Sequence, residues 1–119
     1  MCMYEIIFYQ DNRGYQPVYE YLKELLQRKD KNSRINANKI NDYIQMLSEY
    51  GARVGEPYVK HLSGEIWELR PLRNRILFAL YNNRIYILLH HFMKQTQKTP
   101  SREIEQAKRN LLDFKRRSG

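Results

Sequence analysis

The chain has 119 residues, with 21 Lys+Arg against 13 Asp+Glu, three His, one Cys and a formal net charge of +8. This length predicts a single domain, 1–119, able to bury a core without disulfides or metal, and one cysteine, Cys2, excludes an intrachain disulfide and argues against a zinc site. The N-terminal M-C-M-Y-E-I-I-F-Y has neither the basic start nor the cleavage site of a signal peptide, and no apolar run approaches the roughly 20 residues of a membrane span, so a cytoplasmic protein with no membrane partner is expected.

Tyr4 to Tyr9 is a β-branched and aromatic run that stops at the turn cluster Gln10-Asp11-Asn12-Arg13-Gly14, which predicts a first strand. Pro17 suits a helix start, and Val18, Leu22, Leu25 and Leu26 recur at helical spacing. A polar break at Lys29 to Asn32 precedes a second helix, with Asn32 or Ser33 as its cap. Its apolar stripe is Ile40, Tyr43, Ile44, Leu47 and Tyr50, and Gly51 ends it. Ala52 to Lys60 reads as a connection. Glu65 to Arg70 alternates like a half-exposed strand, with Ile66, Glu68 and Arg70 on one face and Trp67 and Leu69 on the other. Pro71 ends that strand. Arg73 to Tyr81 and Arg84 to Phe92 predict two strands joined by a hairpin at Asn82-Asn83, since Asn tolerates positive φ. The second is apolar on both sides from Ile85 to Leu89, as in the centre of a covered sheet. Lys94 to Lys98 is a polar loop. Thr99, as cap, and Pro100 open a last helix with the stripe Ile104, Ala107, Leu111 and Leu112. The fold class expected is α+β: a strand, two helices, a three-strand meander and a C-terminal helix, with helices packed on one small antiparallel-rich sheet.

The charge is unevenly spread. Residues 1–59 hold eight Lys+Arg and eight Asp+Glu, whereas residues 60–119 hold thirteen against five. A basic half on a neutral half is the pattern of a face for a polyanion. Within it, Arg70, Arg73 and Arg75 fall inside six positions, and arginine is the preferred phosphate partner because its planar fork makes paired, charge-assisted hydrogen bonds. The hairpin brings Arg73 and Arg75 to the same end of the sheet as His90 and Lys94, with Lys60 ahead of the meander. Such a cluster stabilises the charge that grows on a phosphorane and a leaving oxygen. A solvated, charged sheet edge that resists aggregation accounts for the same residues equally well. The chain has no phosphate-cradling glycine loop and no Ser-His-Asp spacing. Glu65 and Glu68, three apart, face opposite sides, which argues against a two-metal site, and adjacent His90 and His91 do not make a metal motif. Either histidine, or His61, is a candidate general base. No metal or cofactor is expected.

The motifs K-H-L-S-G-E-I-W-E-L-R, N-R-I-L-F, L-L-H-H-F-M-K and K-T-P-S-R-E-I-E-Q-A stand in this order from Lys60 to Ala107. In that order and spacing the chain resembles the phage-derived Gp49-like, HigB-type branch of the RelE/ParE toxin superfamily. It departs at Lys94-Gln95, where that family often has two lysines, and at His90-His91, where a small residue is common. The resemblance implies a RelE-like fold and the toxin of a type II toxin–antitoxin pair. It implies a metal-independent endoribonuclease that cuts mRNA, usually on the ribosome, through attack of a 2′-hydroxyl on the adjacent phosphate. Arg70 and Arg75 would then hold phosphate, Lys94 would neutralise or protonate the leaving group, and Arg73 would join them. Glu68 and His90 are candidates for proton transfer, and Lys60, His61, Lys98 and Lys108 for RNA binding. The implied partners are mRNA, the ribosome and a HigA-like helix-turn-helix antitoxin through which the complex would bind operator DNA. The alternatives are a non-catalytic nucleic-acid or protein-binding module and a ParE-like poison of DNA gyrase.

Overall fold

The computed structural model describes residues 3–118. Cys2, on which the disulfide and zinc expectations turn, lies outside the described residues. The elements run β1 (Glu5–Phe8), α1 (Pro17–Gln27), α2 (Lys31–Tyr50), β2 (Val59–Ser63), β3 (Ile66–Leu69), β4 (Asn74–Tyr81), β5 (Ile85–Met93) and α3 (Ser101–Ser118). The five strands form one sheet in the order β1-β5-β4-β3-β2. β1 lies parallel to β5, and the other neighbours pair antiparallel. The α+β class expected from the sequence is therefore observed.

Helices cover both faces of the sheet. On one face Val18, Leu22 and Leu25 of α1 and Ala37, Ile40 and Leu47 of α2 pack on Ile76, Phe78, Tyr86 and Leu88. On the other, Ala107 and Leu111 of α3 pack on Leu77, Ala79, Ile87 and Leu89. Strand alternation thus gives β4 and β5 two apolar faces. Asn82 and Asn83, at φ 55° and 57°, make the expected hairpin turn. In β5, Leu77 of β4 pairs with His90 and Phe78 with Leu88. Leu89 is therefore a bulge residue, and the bulge reverses which face His90 presents.

Several local expectations are corrected. Val59–Ser63 is a strand, so the meander has four strands, not three. It is an edge strand whose exposed Lys60 and His61 separate Val59 from Leu62, and those two apolar residues, three apart, pack against opposite faces and leave no period of two. β3 is not half-exposed, because β2 and both helical layers enclose it; Ile66, Glu68 and Leu69 are buried. Asp30, rather than Asn32 or Ser33, caps α2, its carboxylate accepting the Ser33 amide at 2.9 Å. Leu26, Tyr50 and Leu112 lie at the margins of their stripes and are exposed. Thr99 does not cap α3. Its hydroxyl donates to Glu68 at 2.6 Å, and the Glu103 and Ile104 amides run to the Pro100 carbonyl.

Candidate functional site

The site lies where β4 begins and β5 ends. Arg75 pairs with Phe92 and Asn74 with Met93 across these strands. Just outside them the Lys94 amide donates to the Arg73 carbonyl at 2.8 Å, and Arg73 Nη2 returns a bond to the Lys94 carbonyl at 2.7 Å. Between β3 and β4 the chain turns through Pro71-Leu72-Arg73, with Leu72 at φ 59°. This left-handed conformation is uncommon for a branched residue. It points the Leu72 carbonyl at Arg75, whose Nη1 donates to it at 2.9 Å and to the Asn74 carbonyl at 2.8 Å. Arg75 is only 6% exposed. Burial pushes its guanidinium below the usual value; Glu68 opposes this and Arg70 adds to it. An arginine keeps its proton under such pressure.

Glu68 is the counter-ion of the cluster. It is 2% exposed, accepts the Thr99 hydroxyl, and lies 3.7 Å from Arg70 Nε. Arg70 also reaches Glu56 at 3.4 Å. A buried carboxylate beside Arg70, just past β3, and near Arg75 of β4 offsets their mutual repulsion.

Two basic cavities adjoin there. One, of about 230 Å³, is lined by Arg75, Lys94, Lys98 and Arg102, with a single carboxylate, Glu103. The other is lined by Lys60, His61, Arg70 and again Lys98, with Glu56 at its rim. Seven of the ten residues singled out from sequence thus line these cavities or, in the case of Glu68, lie buried against Arg70 and Thr99. Arg73 lines neither; it braces Lys94 from outside. Lys108 lies elsewhere, in a groove with Glu65, Leu112 and Lys115. Glu65 precedes β3, so strand alternation does not govern it, and it pairs with Lys115 at 2.7 Å. His90 faces a different cavity, although its Nε2 bonds Glu103 at 2.6 Å.

That different cavity is larger, about 780 Å³, and contains Asp11, Glu20, Glu24 and three tyrosines. Its carboxylates repel a polyanion, so charge rather than size selects the smaller basic pair for nucleic acid.

Behind Arg75 sits a network that the sequence pattern did not reveal. Asn74 is fully buried. Its Nδ2 donates to Asn36 at 2.8 Å and to the Pro71 carbonyl at 3.1 Å, while its Oδ1 accepts from Tyr21 at 2.9 Å and from His91 at 3.2 Å. One amide therefore ties α1, α2, β5 and the Pro71 turn to the strand that carries Arg75. His91 stacks on Tyr21 with ring centroids 3.6 Å apart. Burial, aided by His90, lowers the His91 pKa to about 4, so it is a neutral donor in this network. A lone Asn between two arginines has no periodic signature; only its zero exposure would have flagged it.

The family model described as Phage derived protein Gp49-like (DUF891) matches residues 22–112. The chain belongs to this family. Gp49-like proteins are RelE/HigB-like toxins associated with toxin–antitoxin systems, which implies an antitoxin partner. The matched span runs from α1 into α3 and includes both basic cavities, Glu68 and Asn74. No curated protein matches the chain. Among the described residues no helix is long and apolar enough to cross a membrane.

Proposed function

We propose that this Gp49-like toxin is a metal-independent endoribonuclease that cuts mRNA on the ribosome and so stops translation in the cytoplasm. The observation that carries the reading is the buried Arg75, clamped by two carbonyls at the wall of a cavity that also holds Lys94, Lys98 and Arg102. A guanidinium fixed in place before substrate arrives costs little reorganisation when phosphorane charge develops. In this reading Arg75 and Arg70 hold phosphate oxygens, Lys94 supplies the proton to the leaving oxygen, and Arg73 fixes Lys94 by its backbone. Lys60, His61 and Lys98 guide the flanking strand. Glu68 acts as the counter-ion that sets Arg70 and Arg75, since its burial and its bond to Thr99 keep it from substrate. The partner is a HigA-like helix-turn-helix antitoxin that covers the basic face and carries the complex to operator DNA.

The test is to express the wild type and Arg75→Ala separately and map mRNA ends in the cells. Wild type should arrest growth and create new ends within coding sequences. Arg75→Ala should reduce cleavage about a hundredfold or more, the loss typical of removing one transition-state donor. Arrest with intact mRNA and broken DNA would instead identify a gyrase poison. Neither arrest nor cleavage would leave a binding module.

A further inference from the structure

We propose that Glu103, on the first turn of α3, is the general base of this site, and that His90 is the residue that positions it. The inference rests on the ribonuclease reading above and fills the role which that reading leaves vacant.

The cavity beside Arg75 contains guanidinium, ammonium, hydroxyl and amide groups, and one carboxylate. Arginine and lysine hold their protons at neutral pH, and neither a threonine hydroxyl nor a glutamine amide accepts one. Among the lining residues Glu103 alone is equipped to take the proton of a 2′-hydroxyl. Its side chain is 18% exposed and is gripped from two sides. His90 Nε2 lies 2.6 Å from Oε1, and Arg102 Nε lies 3.6 Å from Oε2. An ionised carboxylate only accepts, so His90 is the donor, and that bond fixes the carboxylate's rotamer. Oε1 is taken by the short bond to His90, so the proton is assigned to Oε2, which makes the longer contact to the exposed Arg102. The arrangement depends on the bulge at Leu89. Without it His90 would share a face with Tyr86 and Leu88 and would point at α1 and α2, away from Glu103.

The step balances without a co-reactant. Glu103 Oε2 takes the proton from the 2′-hydroxyl while O2′ bonds to phosphorus. The P–O5′ bond breaks, and the departing O5′ takes a proton from the Lys94 ammonium. The products are a 2′,3′-cyclic phosphate and a 5′-hydroxyl. Proton return from Glu103 to Lys94 through solvent resets the site. The polar groups around Glu103 come from several elements: the His90 ring from β5, and the cations Arg75 from β4, Lys94 and Lys98 from the loop and Arg102 from α3.

The experiment measures the rate and product ends of mRNA cleavage in a translating cell extract for wild type, Arg75→Ala, Glu103→Gln, Glu103→Ala and His90→Gln. Wild type should leave 2′,3′-cyclic phosphate and 5′-hydroxyl ends. Glu103→Gln should lose about 10²- to 10⁴-fold in rate, the usual share of a general base. Glu103→Ala should lose as much and recover part of it on addition of formate, a small carboxylate that fits the space vacated; a merely structural role would not be rescued. His90→Gln should lose less, with KM unchanged. Binding of a 2′-O-methylated RNA oligonucleotide should be at least as tight for Glu103→Gln as for wild type, since the change removes a negative charge from a cationic cavity, and retained binding also reports an intact fold. Wild-type rates in Glu103→Gln, absence of formate rescue, or 5′-phosphate ends would overturn the assignment. If wild type fails to cleave, or Arg75→Ala cleaves normally, the ribonuclease reading itself has failed, and Glu103 falls with it.

Discussion

Arg75 illustrates how one side chain becomes functional through its surroundings. Its charge is common; its two carbonyl acceptors and its buried position are not. The sequence made the arginine legible, because three arginines within six positions next to an apolar strand is an unusual cost. The acceptors were not legible, because one of them depends on Leu72 adopting φ 59°. His91 carries a pH dependence that can be measured. Its folded pKa, about 4, lies below its ordinary value of 6.5. The unfolded chain therefore takes up this proton first as pH falls. The stability that neutral His91 contributes is full above pH 6.5 and is lost down to pH 4, by about 3 kcal/mol. Denaturant titrations of wild type and His91→Gln across that range should show a steeper loss for wild type. Parallel curves would mean that His91 titrates like an exposed imidazole.

At the scale of elements, most boundaries follow from local chemistry. Pro17 opens α1, Gly51 at φ 77° ends α2, and two asparagines turn the central hairpin. The cap of α2 shows where local reading slips, since Asp30, Asn32 and Ser33 are all competent and only geometry chooses. Ser33 donates both its amide and its hydroxyl to Asp30 and thereby lowers the carboxyl pKa below its ordinary 3.8. A depressed carboxyl stabilises the fold above its ordinary range and ceases to do so as pH falls through the folded value. Asp30→Ala should therefore melt at a lower temperature than wild type at pH 7, and the gap should narrow on strong acidification. An equal gap at pH 7 and pH 2 would show that the carboxylate's charge plays no part. β2 escaped notice for a different reason. Its five residues bring no clean alternation, and two of them, Lys60 and His61, are exposed polar side chains that line the second basic cavity.

At the scale of the whole molecule, the charge excess of residues 60–119 does not spread evenly over the surface. Six of the thirteen Lys and Arg in that half line two cavities that share Lys98, while an acidic, tyrosine-rich cavity lies on the other side of His90. Salt dependence measures this focusing. Each phosphate contact to single-stranded RNA contributes about −0.7 to the slope of log K against log salt. For a 2′-O-methylated RNA oligonucleotide, Lys98→Ala should flatten the slope by about that amount. Lys108→Ala should leave it unchanged, since that side chain lies in a separate groove and pairs with Glu105 at 3.8 Å. Equal flattening by both would mean that RNA reads net charge and not these cavities. By itself the sequence determined the α+β class, the hairpin, the two apolar faces of β5 and the end of the sheet at which Arg75 and Lys94 meet. Those properties follow from spacing, and spacing is local. Only the tertiary structure decided that Asn74 would be the buried tie behind Arg75, that Glu68 would serve as a counter-ion, and that His90 would meet Glu103. Each of these joins residues from different elements. The last also depends on one extra residue in β5, which reverses the strand's parity in a way that no count along the chain reveals.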